Sequence, residues 1–160
     1  MACNNSILPL IKPAVKVCEI GIRRGDSTLE FLKLGCFVYM IDPWEDYPEY
    51  DEKNYDYLSD YSITLERIKG FEGRYQIFRK KSEDAVDEIP DDLDLVYIDG
   101  NHAYDFVKED IVNYWPKIKE GGWLTGDDYG ESGVSEAVNE FAEKNKLKIQ
   151  IFAGNWAIQK

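Results

Sequence analysis

Histidine occurs once in this chain, at position 102, and cysteine three times, at positions 3, 18 and 36, with no C-x-x-C spacing. These shortages exclude a zinc module built from Cys and His pairs. An odd number of cysteines fits buried thiols in a reducing compartment better than a disulfide framework. Positive charge is scarce as well: 19 Lys and Arg against 31 Asp and Glu leave a net charge of −12. Nucleic acids and anionic membranes need a basic face, so neither is an expected partner. Arg23–Arg24 and Lys80–Lys81 are small basic spots that read as solvated surface. No apolar run approaches the ~20 residues of a membrane span, no signal-peptide pattern is visible, and a cytoplasmic location is expected. There is no internal repeat of solenoid length. At 160 residues and 44% hydrophobic, the chain is long enough for a single domain, 1–160, with a real core.

What is present begins with V-K-V-C-E-I-G-I-R-R-G, Val15 to Gly25. It is a short apolar strand, an acidic residue (Glu19) near its end, and two glycines four apart. Gly21 can take backbone angles closed to other residues, and the missing side chain at Gly25 would let a ligand approach the main chain. Ser27 and Glu30 have the S-x-x-E spacing of a capping box, so a helix is predicted from near Ser27 to around Gly35. A second strand, Cys36 to Ile41, ends at Asp42. A carboxylate there is placed to accept hydrogen bonds from both ribose hydroxyls of a bound nucleoside. The dinucleotide fingerprint G-x-G-x-x-G does not fit, because its middle glycine would fall on Arg23.

Further along, Leu58, Tyr61, Leu65 and Ile68 recur at helical spacing, and Tyr75 to Phe78 reads as a third strand. Ser82 to Ile89 is a short helix stopped by Pro90. Leu93 to Ile98 is a fourth strand buried on both faces. Val107, Ile111, Tyr114 and Ile118 form one helical stripe, broken by Gly121–Gly122 before a fifth strand, W-L-T-G, that ends at Asp127–Asp128. Val134, Val138 and Phe141 line another helix, and two final strands meet at an Ala153–Gly154 turn. This order predicts an α/β fold, a Rossmann-like three-layer α/β/α sandwich. Its sheet would be seven-stranded and mostly parallel, closing on a C-terminal β-hairpin.

In such sheets ligands bind beyond the carboxyl ends of the strands. That rim collects Glu19, Gly21, Asp42, Ser82, Glu83, Asp99 to His102, Asp127 and Asp128. So many carboxylates around one crevice are costly unless paired, protonated or bridged by a cation, and hard oxygen ligands suit Mg2+. Residues 43–57 form an acidic, aromatic insertion carrying Trp44, Tyr47, Tyr50, Tyr55 and Tyr57. It reads either as a lid over a substrate or as a surface loop with packed tyrosines.

The loop E-I-G-I-R-R-G resembles the first motif of class I methyltransferases, which bind S-adenosylmethionine, and five βα units followed by a hairpin match that core over about residues 14 to 160. I-D-G-N-H-A-Y, then G-G-W-L-T-G-D-D-Y, resembles a subgroup with the signature I-D-G-x-H-x-Y (methyltransferase family 24-like), similar to metal-dependent O-methyltransferases of catechols and sugars. The resemblance implies cofactor contacts from Glu19, Gly21, Gly25, Asp42, Ser82, Glu83 and Asp99. It implies magnesium ligands Asp99, Asp127 and Asp128. A carboxylate found in sugar-modifying relatives two residues after the first ligand is here Asn101, which cannot take a proton. His102 is the substitute base, since an unperturbed pKa of about 6.5 suits that role; Asp99 shares the catalytic assignment. The implied activity is methylation of a hydroxyl on a small molecule or glycan. Two rivals stay open. One is a cephalosporin-hydroxylase-like enzyme, which the I-D-G-x-H signature also resembles. The other is a silent module that binds the cofactor or a partner without turnover; equally, an open pocket would be completed by a second subunit in a homodimer.

Overall fold

A computed structural model of the chain describes residues 6–46 and 56–160. Its strands are β1 (Lys16–Ile20), β2 (Phe37–Ile41), β3 (Tyr75–Phe78), β4 (Leu93–Ile98), β5 (Ile118–Gly126), β6 (Ile149–Phe152) and β7 (Asn155–Gln159). The helices are α1 (Asp26–Lys33), α2 (Tyr57–Arg67), α3 (Ser82–Ala85), α4 (Tyr104–Tyr114) and α5 (Ser132–Asn145). One seven-stranded sheet runs β3-β2-β1-β4-β5-β7-β6. The first five strands are parallel, and β7 lies antiparallel between β5 and β6. This is the predicted Rossmann-like α/β/α sandwich with its closing hairpin.

Alternation along the strands decides which helices each face receives. Cys18, Ile20, Val96, Ile98 and Leu124 pack with Val107, Ile111 and Tyr114 of α4 and with Val134 and Val138 of α5. Val17, Val38, Met40, Leu95 and Tyr97 face the other way, onto Phe31 and Leu32 of α1, Ile68 after α2, and Ile7 and Ile11. Cys18 and Cys36 are buried free thiols. Cys3 lies outside the described residues. Among the described residues no helix is long and apolar enough to cross a membrane.

Three sequence expectations are corrected. Ser27 and Glu30 do not form a capping box. The helix begins one residue earlier, at Asp26, with Gly25 as N-cap in the left-handed conformation and no side-chain cap. Ser27 is buried within the first turn, and Glu30 pairs with Lys33 on the surface. Ile118 is not helical: Pro116 cannot continue the helix, Trp115–Lys117 tightens into a 3-10 turn, and Ile118 opens β5. Gly121–Gly122 therefore lie inside β5, as an irregularity in its pairing with β4. Finally, α2 is rotated relative to its apolar stripe. Leu58 and Leu65 are exposed, at 73% and 38%, while Asp60 and Thr64 are buried because they bind the loop between β1 and α1.

Strand order reverses between β1 and β4, so the crevice at their carboxyl ends is where the α/β fold admits a ligand. Gly21 sets the spacing there. Its φ is +84°, and a Cβ would stand 2.1 Å from the Asp99 carbonyl oxygen. Gly70 has nearly the same φ, +86°, but nothing within 4 Å. Gly21→Ala is expected to cost more than about 3 kcal/mol in urea unfolding, combining strain and overpacking. Gly70→Ala should cost about 1 kcal/mol, from the backbone alone; equal losses would show that the contact with Asp99 contributes nothing.

Candidate active site

A cleft of about 640 Å³ opens at the carboxyl ends of β1, β2 and β4, a volume within the usual range for small-molecule sites. Its lining includes Gly21, Asp42, Ser82, Glu83, Asp99, His102, Asp127 and Asp128. Most of the sequence-predicted rim is thereby gathered on one wall system. Glu19 and Gly25 are not in that lining. Glu19 is 1% exposed, lies beneath the cleft, and accepts a hydrogen bond from the Thr28 hydroxyl. Burial pushes its carboxyl well above the usual range, although the Thr28 bond works against that. At Gly25 the missing side chain admits a protein group rather than a ligand: a Cβ would meet Thr64 Cγ2 at 3.2 Å.

Asp42 is the knot of the first loop. Its Oδ2 accepts the N–H groups of Ile22 (2.8 Å) and Arg23 (2.9 Å), and its Oδ1 accepts that of Trp44 (2.7 Å). A carboxylate offers about four acceptor sites, so one remains. These three bonds leave one acceptor site of Asp42 for a ligand. Burial raises its pKa, and the three backbone bonds pull it back. Arg23, at φ +52°, turns its carbonyl toward Trp44 Nε1 (2.8 Å) and Thr64 Oγ1 (2.9 Å). Arg24 Nε reaches buried Asp60 at 2.6 Å. Thus α2 clamps the loop from outside. Trp44, read from the sequence either in a lid or in a packed loop, is 2% exposed and packs in the core while also lining the cleft, as Tyr57 does; Tyr47, Tyr50 and Tyr55 lie outside the described residues.

The acidic end of the cleft is built by the loops after β4 and β5. Asp99, His102 and Asp128 each bring one ligand atom to within 4.8 Å of the others. His102 Nε2 stands 3.3 Å from Asp128 Oδ2 and 3.8 Å from Asp99 Oδ1. Burial pushes the Asp99 carboxyl up to about 6; His102 opposes this, and Asp127 and Asp128 add to it. Asp127 is tied sideways, its Oδ1 accepting from Asn155 Nδ2 (2.6 Å) and the Asp128 N–H (2.8 Å). Asn101 Oδ1 accepts the Ala103 N–H at 2.9 Å and so shapes the turn into α4. Gly133 of α5 lets the His102 loop sit close, since a Cβ there would fall 2.4 Å from the His102 carbonyl oxygen.

The third corner holds Ser82, Glu83 and Asp110. Ser82 starts α3, yet its hydroxyl does not cap that helix; it donates to Asp110 Oδ1 across to α4. Tyr114 donates to the Ser82 carbonyl at 2.8 Å. Asp110 is 4% exposed, and burial pushes its carboxyl up to about 7, with the Ser82 bond opposing and Glu83 and Glu109 adding. The sequence reading missed Asp110, although a carboxylate between Val107, Ile111 and Tyr114 interrupts an apolar helix face. Asp60, Thr64 and Asn155 were missed with it.

The profile of a family described as "Methyltransferase domain" matches residues 18–129, more than half of the chain. The chain belongs to that family, and its fold is that of class I, S-adenosylmethionine-dependent methyltransferases. An uncharacterized protein, R132, of Acanthamoeba polyphaga mimivirus is 32% identical over 72 residues, 45% of this chain and 32% of that protein. The match thus spans about a third of that relative's length. Among solved structures, the O-methyltransferase NovP superposes with a TM-score of 0.68 at 17% identity, over 99% of this chain and 76% of that one. The S-adenosylhomocysteine-bound methyltransferase PaMTH1 of Podospora anserina gives 0.68 at 13% identity, over 90% and 70%.

Asp110 carries a pH-dependent cost. Folded, it keeps its proton up to about pH 7; unfolded, an aspartate releases it near pH 4. Between those values the folded state binds more protons, so stability falls as pH rises. Asp110→Asn keeps the size and a partner for Ser82 without a buried charge. It should exceed the parent by more than about 1 kcal/mol at pH 8, with the gap closing by about pH 4.5. Urea midpoints at the two pH values check this, and a constant gap would refute it.

Proposed function

We propose that this chain is an O-methyltransferase that uses S-adenosylmethionine to methylate a hydroxyl of a small molecule or glycan. The observation that carries the reading is His102 on the cleft wall, its Nε2 held between Asp99 and Asp128. Methylating a hydroxyl releases a proton; with Nε2 donating toward the two carboxylates, the other ring nitrogen, Nδ1, is the one that takes it. The imidazolium so formed has a carboxylate on either side. Asp128 (φ +53°) and Asp99 orient the ring from opposite loops, so its direction is fixed before the acceptor arrives. NovP is described as an O-methyltransferase, which supports oxygen as the acceptor atom.

The cofactor reading is supported by a cleft of suitable volume lined by Asp42 and Gly21. PaMTH1, bound to S-adenosylhomocysteine, shares the fold. When bound, the cofactor supplies an electrophilic methyl group on a sulfonium. Asp42 offers its one remaining acceptor site to a ribose hydroxyl, and Ser82 and Glu83 flank the base.

A divalent cation fits the reaction end less well than the aspartate trio implies. The clustered donors are two carboxylate oxygens and one imidazole nitrogen, a mixed set that suits Mn2+ or Fe2+ at least as well as Mg2+. Asp127, with Oδ1 taken, would offer only Oδ2. With a cation held there, His102 would be a ligand and not the base, and the cation would make an acceptor hydroxyl more acidic in its place.

Calorimetric titration with S-adenosylhomocysteine, with magnesium and again with EDTA, tests the cofactor; absence of binding in both buffers would overturn the reading. Asp42→Ala is expected to weaken that binding at least ~10-fold. His102→Ala should lower the rate of S-adenosylhomocysteine release on an acceptor panel by about 100-fold or more with cofactor affinity retained. A variant that keeps most of its rate would remove His102 from the base role. If chelation leaves the rate intact and no divalent ion co-purifies, the metal is excluded.

A further inference from the structure

We propose that Asp110 selects the purine: its Oδ2 accepts an N–H from the six-amino group of adenine, and Ser82 holds the carboxyl in position for it. The inference rests on the cofactor reading above and names a residue that neither the glycine loop nor the I-D-G-N-H motif contains.

Four observations carry it. Asp110 is 4% exposed and yet contributes to the cleft lining, so its small accessible part faces the ligand space. Oδ1 is occupied by the Ser82 hydroxyl, and Ser82 is itself anchored through its carbonyl by Tyr114. The carboxyl therefore cannot turn freely, and Oδ2 is the oxygen left over. Among the described residues Oδ2 has no hydrogen-bond donor and Asp110 has no ion pair; the ionisable groups acting on it are Glu83 and Glu109, with the Cys18 thiol and Tyr114 hydroxyl nearby. A buried carboxylate among like charges lacks a donor, and a ligand amino group supplies one. Last, the fold itself gains nothing from the charge, because an asparagine could equally pair with Ser82. A group that costs stability while facing a cleft is the mark of a binding role.

The chemistry favours adenine in particular. Ile41 and Phe106 line the same cleft and offer apolar surface to a flat ring. Adenine presents a donor at position six where hypoxanthine presents an acceptor oxygen. That oxygen would face the Oδ2 lone pairs, leaving both unsatisfied.

The test is a pair of calorimetric titrations at pH 8, above the value of about 7 up to which Asp110 keeps its proton, with S-adenosylhomocysteine and with its six-oxo counterpart S-inosylhomocysteine. The parent protein should bind the adenine form at least ~10-fold more tightly, the discrimination expected of one hydrogen bond to a charged group. Asp110→Leu should bring that ratio to within about 3-fold, and Ser82→Ala should reduce it while leaving the carboxylate present. A purely packing role would change both affinities together and leave the ratio alone. Should the leucine variant fail to fold, the Ser82→Ala ratio decides. A parent that binds both forms equally, or variants that keep the parent's ratio, would overturn the role of Asp110 with the cofactor reading intact. A parent that binds neither would overturn the cofactor reading, and this inference with it.

Discussion

The backbone of Gly21 lies against the backbone of Asp99 and Gly100 with no room for even a methyl group between them. Asp99 donates its N–H to the Ile20 carbonyl at 2.8 Å, and Gly21 donates to the Ile41 carbonyl at 2.9 Å. Three strand ends are thus laced together where the cleft begins. Two of the loops that face the cleft hang from that junction. Asp42 follows β2 and knots the first loop, while Asp99 and His102 follow β4. Moving Gly21 outward by the width of a side chain would shift Asp42 and the Asp99–His102 loop relative to each other. The regular sheet below supplies stiffness, but the spacing of the site is set by a missing atom.

Around this junction the protein concentrates carboxyl groups in poor solvent. Glu19, Asp42, Asp99 and Asp110 all have their pKa values raised chiefly by burial. Each has a different partner: a threonine hydroxyl, three backbone amides, the lone histidine, a serine hydroxyl. Hydrophobic layers on both faces of the sheet outweigh the resulting cost. The electrostatic burden falls on one rim while the opposite rim holds ordinary ion pairs such as Lys16–Asp92 at 2.5 Å. This asymmetry is what a binding site superimposed on a stable scaffold looks like.

Much of this was legible in the sequence where one physical signal dominated. β3 and β4 have the boundaries their apolar runs imply, and β2 starts one residue later. The rim residues follow from the parallel order alone, because successive strands end on the same side. Legibility failed where two signals competed. The stripe containing Ile118 ignored what Pro116 does to a helix. The phase of α2 was read from leucines, yet Asp60 and Thr64 bind the loop and turn the helix onto them. Asp110 and Asn155 contact partners 28 residues away, Ser82 and Asp127. No local pattern announces such pairs, and only the fold brings them together.

The position of the last strand has a consequence in time. β6 precedes β7 in the chain but lies outside it in the sheet, so β6 has no edge to join until β7 has been made. The same strand delivers Asn155 to the Asp127 carboxylate and Trp156 Nε1 to its carbonyl, at 2.6 and 3.2 Å. During synthesis the five parallel strands can collapse first, with Asp127 and its neighbours left untethered on a raw β5 edge. Both the closing of that edge and the fixing of the acidic loop then await a single late event, the insertion of residues 155–159. A nascent chain stalled before it would display the cleft without its finished acidic end.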